Sequence, residues 1–227
     1  MTACKDCLVP FTSGIYTGLS GLSTLFFMIG AIGYTATKNS IKDIPWIYGT
    51  FDGFPDDNSY FSLRAEYDDF ETNGGVFKYS TYADYYDWCD KCQSDGHSAY
   101  IMCIIACLTS LVCTILCALL IKKADFSFAH FVAAGIAGVA CFIAGIALIV
   151  FMGVCQSKIK KFYSGDEANV VYPEFHWGAG SILVAAGMCF MFIVSVGMII
   201  SGKYGGAAAA PAKNEIDSTN GMTNLYA

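Results

Sequence analysis

The sequence predicts an all-α membrane protein: a four-helix transmembrane bundle with a small antiparallel β-sheet in the large first extracellular loop. Three observations predict it. Of 227 residues, 55% are hydrophobic and only 14% are charged, whereas a soluble domain is about one quarter charged. The apolar residues come in four blocks, each long enough to cross a hydrocarbon core, which takes roughly 20 helical residues. No Asp, Glu, Lys or Arg interrupts any block.

The blocks are residues 13–34, 99–121, 126–154 and 177–200, so the membrane domain covers 13–203. The first is too long for a signal peptide and lacks a basic flank and a cleavage site, so it reads as a retained helix. The third, near 29 residues, can tilt or project beyond the bilayer. Only Lys122, Lys123, Ala124 and Asp125 separate the second and third, which makes them an antiparallel hairpin. Small residues recur at four-residue spacing, as in Ala134/Gly138, Ala140/Ala144 and Cys141/Gly145. In lipid, where apolar surface gains nothing by leaving solvent, such residues let backbones approach. They serve packing within the bundle, or a seam between protomers. Residues 35–98 form the large loop. Gly75 to Tyr82 alternate aromatic and β-branched residues in the manner of a strand, after an Asn73-Gly74-Gly75 turn signal. Residues 1–12 read as a cytoplasmic N-terminus, and 204–227, small and polar, as a disordered cytoplasmic tail.

Charge narrows the function classes. Residues 35–98 hold twelve acids against five bases, a net −7, which leaves +1 for the rest. An acidic segment of this kind argues against nucleic-acid binding. Charge-free membrane blocks argue against a transporter or proton pump, which keeps ionisable residues at membrane depth. His97, His130 and His176 stand apart from one another in the sequence, and the reading includes neither a cofactor nor a metal. Six of the eleven cysteines lie inside apolar blocks, where free cysteine behaves as a small hydrophobe. Five remain. Cys4 and Cys7, beside the first helix, are palmitoylation candidates. Cys89, Cys92 and Cys155 border the polar loops and are oxidisable if those loops face outward. The Cys4/Cys7 and Cys89/Cys92 pairs have zinc-ligand spacing but fall on opposite sides of a membrane helix.

A four-helix plan with its large loop between helices one and two resembles the claudin, peripheral myelin protein and amastin superfamily. Claudins carry a tryptophan in the first loop, then Gly-Leu-Trp-x-x-Cys, with a second cysteine eight to ten residues on. This chain has Trp46, then Gly75-Val76-Phe77-Lys78-Tyr79-Ser80, eight further residues, and Cys89. The resemblance implies that Trp46, Val76 and Phe77 anchor the loop sheet against itself or the bundle. It also implies a loop disulfide, but Ser80 stands where the first cysteine belongs. Cys89 is thus left to pair with Cys92, to pair with Cys155, or to stay free. Proximity in sequence favours Cys89–Cys92, with Cys155 as the alternative partner.

The resulting expectation is a non-enzymatic plasma-membrane protein with cytoplasmic termini and with residues 35–98 and 155–176 outside. It adheres to neighbouring surfaces or organises the membrane, and its partners are the bilayer, further copies of itself or other membrane proteins. Two alternatives accompany it. The acidic loop could line a cation-selective or paracellular-type pore. Cys89-Asp90-Lys91-Cys92, ahead of a membrane helix, also looks like the couple of bacterial disulfide-forming membrane oxidases, with Lys91 available to favour a thiolate.

Overall fold

The computed structural model describes residues 5–35, 37–51, 54–69, 75–82, 84, 87–122, 127–163 and 173–205. Among them four helices are long and apolar enough to cross a membrane, with spans Thr12–Ile32, Asp87–Ile121, Phe128–Lys161 and Ala179–Lys203. They belong to α1 (Lys5–Ile32), α4 (Asp87–Lys122), α5 (Ser127–Leu148) and α7 (Ala179–Gly205). Two short helices, α2 (Lys38–Asp43) and α3 (Tyr79–Tyr82), lie between the first two spans. Helix α5 runs on through a π-helical stretch, Ile149–Cys155, into α6 (Gln156–Tyr163). Helix α1 packs on α4 and α7, and α5 packs on the same two, which closes the bundle.

Every boundary differs from the apolar block that announced it. The first helix begins at Lys5 rather than 13, the second at Asp87 rather than 99, and the third continues to Tyr163 rather than 154. The fourth is shifted, from 177–200 to Ala179–Gly205. Hydropathy registers only the part of a helix that needs lipid, whereas helical hydrogen bonding continues wherever one face is packed. In α4 that face is continuous: Cys89, Cys92, Gly96, Ala99, Cys103, Ala106, Ser110, Cys113 and Cys117 are all buried and recur every three or four residues. Its 36 residues extend about 54 Å at 1.5 Å each, well beyond a core of about 30 Å. The surplus falls to the polar residues 87–98, which stand above the membrane. Asp87 and Asp90 in the first turn complement the positive end of the helix dipole. The tail beyond Gly205 lies outside the described residues.

Inside the bundle, short hydroxyl and thiol side chains take the place of charges. Thr24 Oγ1 and Ser110 Oγ are 2.9 Å apart, and Ser110 Oγ donates to Ser20 O at 3.0 Å, joining α4 to α1. Ser23 Oγ donates to Gly187 O at 3.1 Å, and Ser195 Oγ to Ala134 O at 2.9 Å, joining α7 to α1 and to α5. Each bond satisfies a hydroxyl that hydrocarbon could not. The small residues of α5 serve this packing, since Gly138 faces Ser195 and Gly145 faces Met188 of α7. His130 is buried where α5 meets α7, against Gly202.

On the bundle sits one five-stranded antiparallel sheet: β1 (Ile47–Phe51), β2 (Phe54–Phe61), β3 (Ala65–Asp69), β4 (Gly75–Lys78) and β5 (Pro173–Trp177), in the order β4-β3-β2-β1-β5. The expected sheet of the first loop supplies four strands. The fifth comes from the second loop and pairs with β1, Ile47 opposite Trp177 and Tyr48 opposite His176. Register sorts the two faces. Ile47, Phe61, Glu66 and Phe77 align across one face, and Tyr48, Tyr60, Tyr67 and Val76 across the other. The first set turns towards α4, where Phe61 meets Trp88 edge-on at 6.4 Å between centroids.

The sheet reaches α4 because Gly96 lacks a side chain. A methyl group there would collide with the carbonyl of Leu63 in the β2–β3 turn. Alanine in a helix interior normally gains up to about 1 kcal/mol over glycine. At position 96 the sign should reverse: Gly96→Ala should lower stability by about 1–3 kcal/mol through overpacking. Gly135→Ala, with open space around it, should show no loss. Thermal unfolding of the detergent-solubilised variants checks both signs.

Candidate functional site

The feature that sets this chain apart from a bare bundle is the platform formed by both loops and held rigidly to the membrane helices. Its central fixing is Trp46, which precedes β1 and is fully buried. The indole Nε1 donates to Gly30 O of α1 at 3.0 Å. Its ring is received by two glycines: a methyl group at Gly33 would come within 2.8 Å of it, and one at Gly180 of α7 within 2.7 Å. Phe151 in the π-helical stretch meets the ring edge-on at 5.4 Å. The backbone of Trp46 is used as well. Its N–H donates to Phe61 O at 2.8 Å, and its carbonyl accepts from Gly178 N at 2.9 Å and from Ser181 Oγ at 2.9 Å. One residue thus joins α1, α7, the π-helical stretch, β2 and the segment that follows β5.

The second fixing is covalent. Cys92 and Cys155 form a disulfide with Cα atoms 4.9 Å apart, a sequence separation of 63. This corrects the expected Cys89–Cys92 bond and also its alternative, Cys89–Cys155. Residues 89 and 92 lie on a continuous helix, where a three-residue step turns side chains about 60° apart. Cys92 faces the end of the π-helical stretch, while Cys89 is buried as a free thiol beneath the sheet. Burial, and the Glu66 carboxylate close by, push that thiol upward from its ordinary value. Residues 89 and 92 are therefore not bonded to each other: Cys92 is joined to Cys155, and Cys89 is a buried free thiol.

The remaining motif residues divide. Gly75, Val76 and Phe77 form β4, the outermost strand. Phe77 is half-buried on the inward face, but Val76 is 37% exposed on the outward one, which corrects its expected role as an anchor. Alternation along a strand cannot bury two neighbours on the same side. Ser80 is exposed in α3, away from any disulfide. The anchoring role falls instead to Phe61 and Trp88, outside the motif, and to Tyr79, at a position the motif leaves unspecified. Tyr79 meets Trp88 edge-on at 5.8 Å and donates its hydroxyl to Ser62 O at 3.1 Å. Cys4 lies outside the described residues; Cys7 falls in the first turn of α1, its side chain outside them as well.

The outward face is a row of aromatic rings. Tyr48 and Tyr60 are 5.2 Å apart, and Tyr60 and Tyr67 6.2 Å. Helix α2 covers part of this row, with Ile41 buried on Ala65 and Tyr67, Lys38 over the Tyr67 ring at 5.0 Å and Lys42 over Tyr60 at 5.9 Å. Beyond it Glu174 and His176 of β5 are exposed and 3.6 Å apart, and Val76 marks the opposite edge. What this face exposes is mixed: Val76, Glu174 and His176, beside the half-buried Tyr48 and Tyr60, with Tyr67 buried under α2. No protein-family model matches the chain, and no curated protein matches it either.

Two changes test how the platform is fixed. Trp46→Ala should cost about 3–5 kcal/mol, the range for truncating a buried aromatic, read as a lowered unfolding midpoint of solubilised protein. Cys92→Ser should cost on the order of 4 kcal/mol from the freed chain between the loops, whereas Cys89→Ser should cost far less. Non-reducing peptide mapping should recover a Cys92–Cys155 peptide and a free Cys89.

Proposed function

We propose that this chain is a plasma-membrane protein, distantly related to the claudin, peripheral myelin protein and amastin group, that adheres to neighbouring surfaces or organises the membrane around it. The observation that carries this reading is the joining of both loops into one sheet and its fixing to the bundle by Trp46 and the disulfide. A platform so constrained has little conformational freedom left to lose on meeting a partner, and preorganisation of this sort is what a contact surface needs. The half-buried Tyr48 and Tyr60, with the exposed Val76, Glu174 and His176, supply the contacts. Membrane blocks free of Asp, Glu, Lys and Arg, with small residues along their faces, suit lateral association in the bilayer more than the passage of ions or protons. Cytoplasmic termini, with the sheet outside, agree with the disulfide, because such bonds persist in oxidising compartments.

Expression in non-adherent cells tests the proposal. The chain should be accessible to antibody at the sheet, but not at its C-terminal tail, on unpermeabilised cells. Those cells should aggregate or show clustered surface protein, and Val76→Glu combined with His176→Ala should at least halve the effect at equal surface level. Tail access on intact cells would refute the orientation. Dispersed protein on non-aggregating cells would refute the function.

A further inference from the structure

The chain contains twelve lysines and a single arginine, Arg64. That arginine sits at the tip of the β2–β3 turn, where its backbone is pinned from several directions. Leu63 N donates to Gly33 O at 3.1 Å, at the end of α1. Tyr79 N donates to Arg64 O at 3.2 Å, and Ser62 Oγ donates to Ala65 O at 2.9 Å within the turn. Gly96 fixes the same turn against α4. The side chain itself is exposed. Its guanidinium lies 5.4 Å from the centre of the Tyr34 ring. Tyr34 in turn stacks on Tyr100 of α4 at 4.3 Å and 18°, and its hydroxyl meets His97 Nδ1 at 3.0 Å.

The height of this cluster decides what it faces. Tyr34 closes the first apolar block and Tyr100 is the second residue of the block that begins at Ala99. The tyrosines therefore stand at the edge of the hydrocarbon, where aromatic residues gather, and the guanidinium stands at the level of lipid phosphates on the sheet side. An arginine has two properties here that lysine lacks. Its planar fork grips a phosphate with two parallel hydrogen bonds, and its flat face stacks on an aromatic ring while doing so. Among the described residues no carboxylate forms an ion pair with Arg64. When the Tyr34 hydroxyl donates to Nδ1, the exposed His97 carries its proton on Nε2 and offers a second donor.

We infer that Arg64, Tyr34, Tyr100 and His97 form a binding site for the phosphodiester headgroup of a phospholipid in the leaflet on the sheet side. The site holds the turn between β2 and β3 at a set height over the bilayer. It is independent of the adhesion reading, since it needs only a chain that spans the membrane.

Delipidated protein in an uncharged maltoside detergent can be titrated with short-chain phosphatidylglycerol, with a diacyl lipid bearing an uncharged sugar, and with inorganic phosphate. Native mass spectrometry and thermal shift give the affinities. Phosphatidylglycerol should bind at least ten-fold more tightly than the sugar lipid, and inorganic phosphate should not reproduce it. Arg64→Gln should bring the two lipids within two-fold of each other. Arg64→Lys, which keeps the charge and protects against a folding failure of the first variant, should lose at least three-fold for phosphatidylglycerol only. Equal binding of the two lipids by the parent protein would overturn the inference. So would undiminished phosphatidylglycerol binding in Arg64→Lys, or inorganic phosphate binding as tightly as the lipid.

Discussion

The insertion of one indole between two glycines determines how this molecule is assembled. Trp46 stands where the chain leaves α1 and α2 for the sheet, and it needs α1 and α7 to come close enough to enclose it. Gly33 and Gly180 allow that approach, since any larger residue would overlap the ring. Once seated, its N–H and C=O start the sheet on one side and receive the chain entering α7 on the other. Sheet position, α7 position and the direction of the first loop are consequently one decision rather than three. The single polar atom of the ring is satisfied by Gly30 O, so the burial carries no unpaired donor, which would otherwise cost a few kcal/mol.

The same economy of polarity governs the bundle. Apolar surface alone gives helices no reason to associate in lipid, and ionisable groups at that depth are expensive. The chain uses serine and threonine hydroxyls bonded to carbonyls of other helices, together with alanine, glycine and cysteine on the buried faces. The many membrane cysteines fit this scheme: in Cys113 the thiol lies 3.7 Å from Ala133 O across to α5, a small apolar group with one weak donor.

How much of this could be read from the residues alone depends on the kind of signal. The four spans and the hairpin between α4 and α5 follow from block length and from a turn too short for anything else. Trp46 was legible as an anchor through the resemblance, but its partners were not, because glycine in an apolar helix has no pattern that says which ring it receives. The upper part of α4 was missed because residues 87–98 are polar, yet Trp88, Cys89, Cys92, Gly96 and Ala99 already carried the three-and-four spacing of a packed face. Read that way, the two cysteines are part of a helical stripe rather than a redox pair. Counted outward from residues 123–126 of the sequence, Cys92 and Cys155 fall at nearly equal distances, a symmetry of the hairpin that fits their pairing. The π-helical stretch, which brings Phe151 to Trp46 and Cys155 to Cys92, has no such signal, since it depends on side-chain fit across three elements. The fifth strand was hidden for a similar reason: Pro173 to Trp177 is short, and only its pairing with β1 makes it a strand.

The uninterrupted course of α4 has a mechanical side. A single helix begins under the sheet, is bolted to its neighbour at Cys92, crosses the bilayer and ends at Lys122 on the far surface. It contains no proline, and its one glycine in the upper part is wedged against the β2–β3 turn rather than free to bend. A load applied to the sheet therefore has no joint within α4 in which to dissipate. From the sheet to Lys122 the helix is one stiff unit.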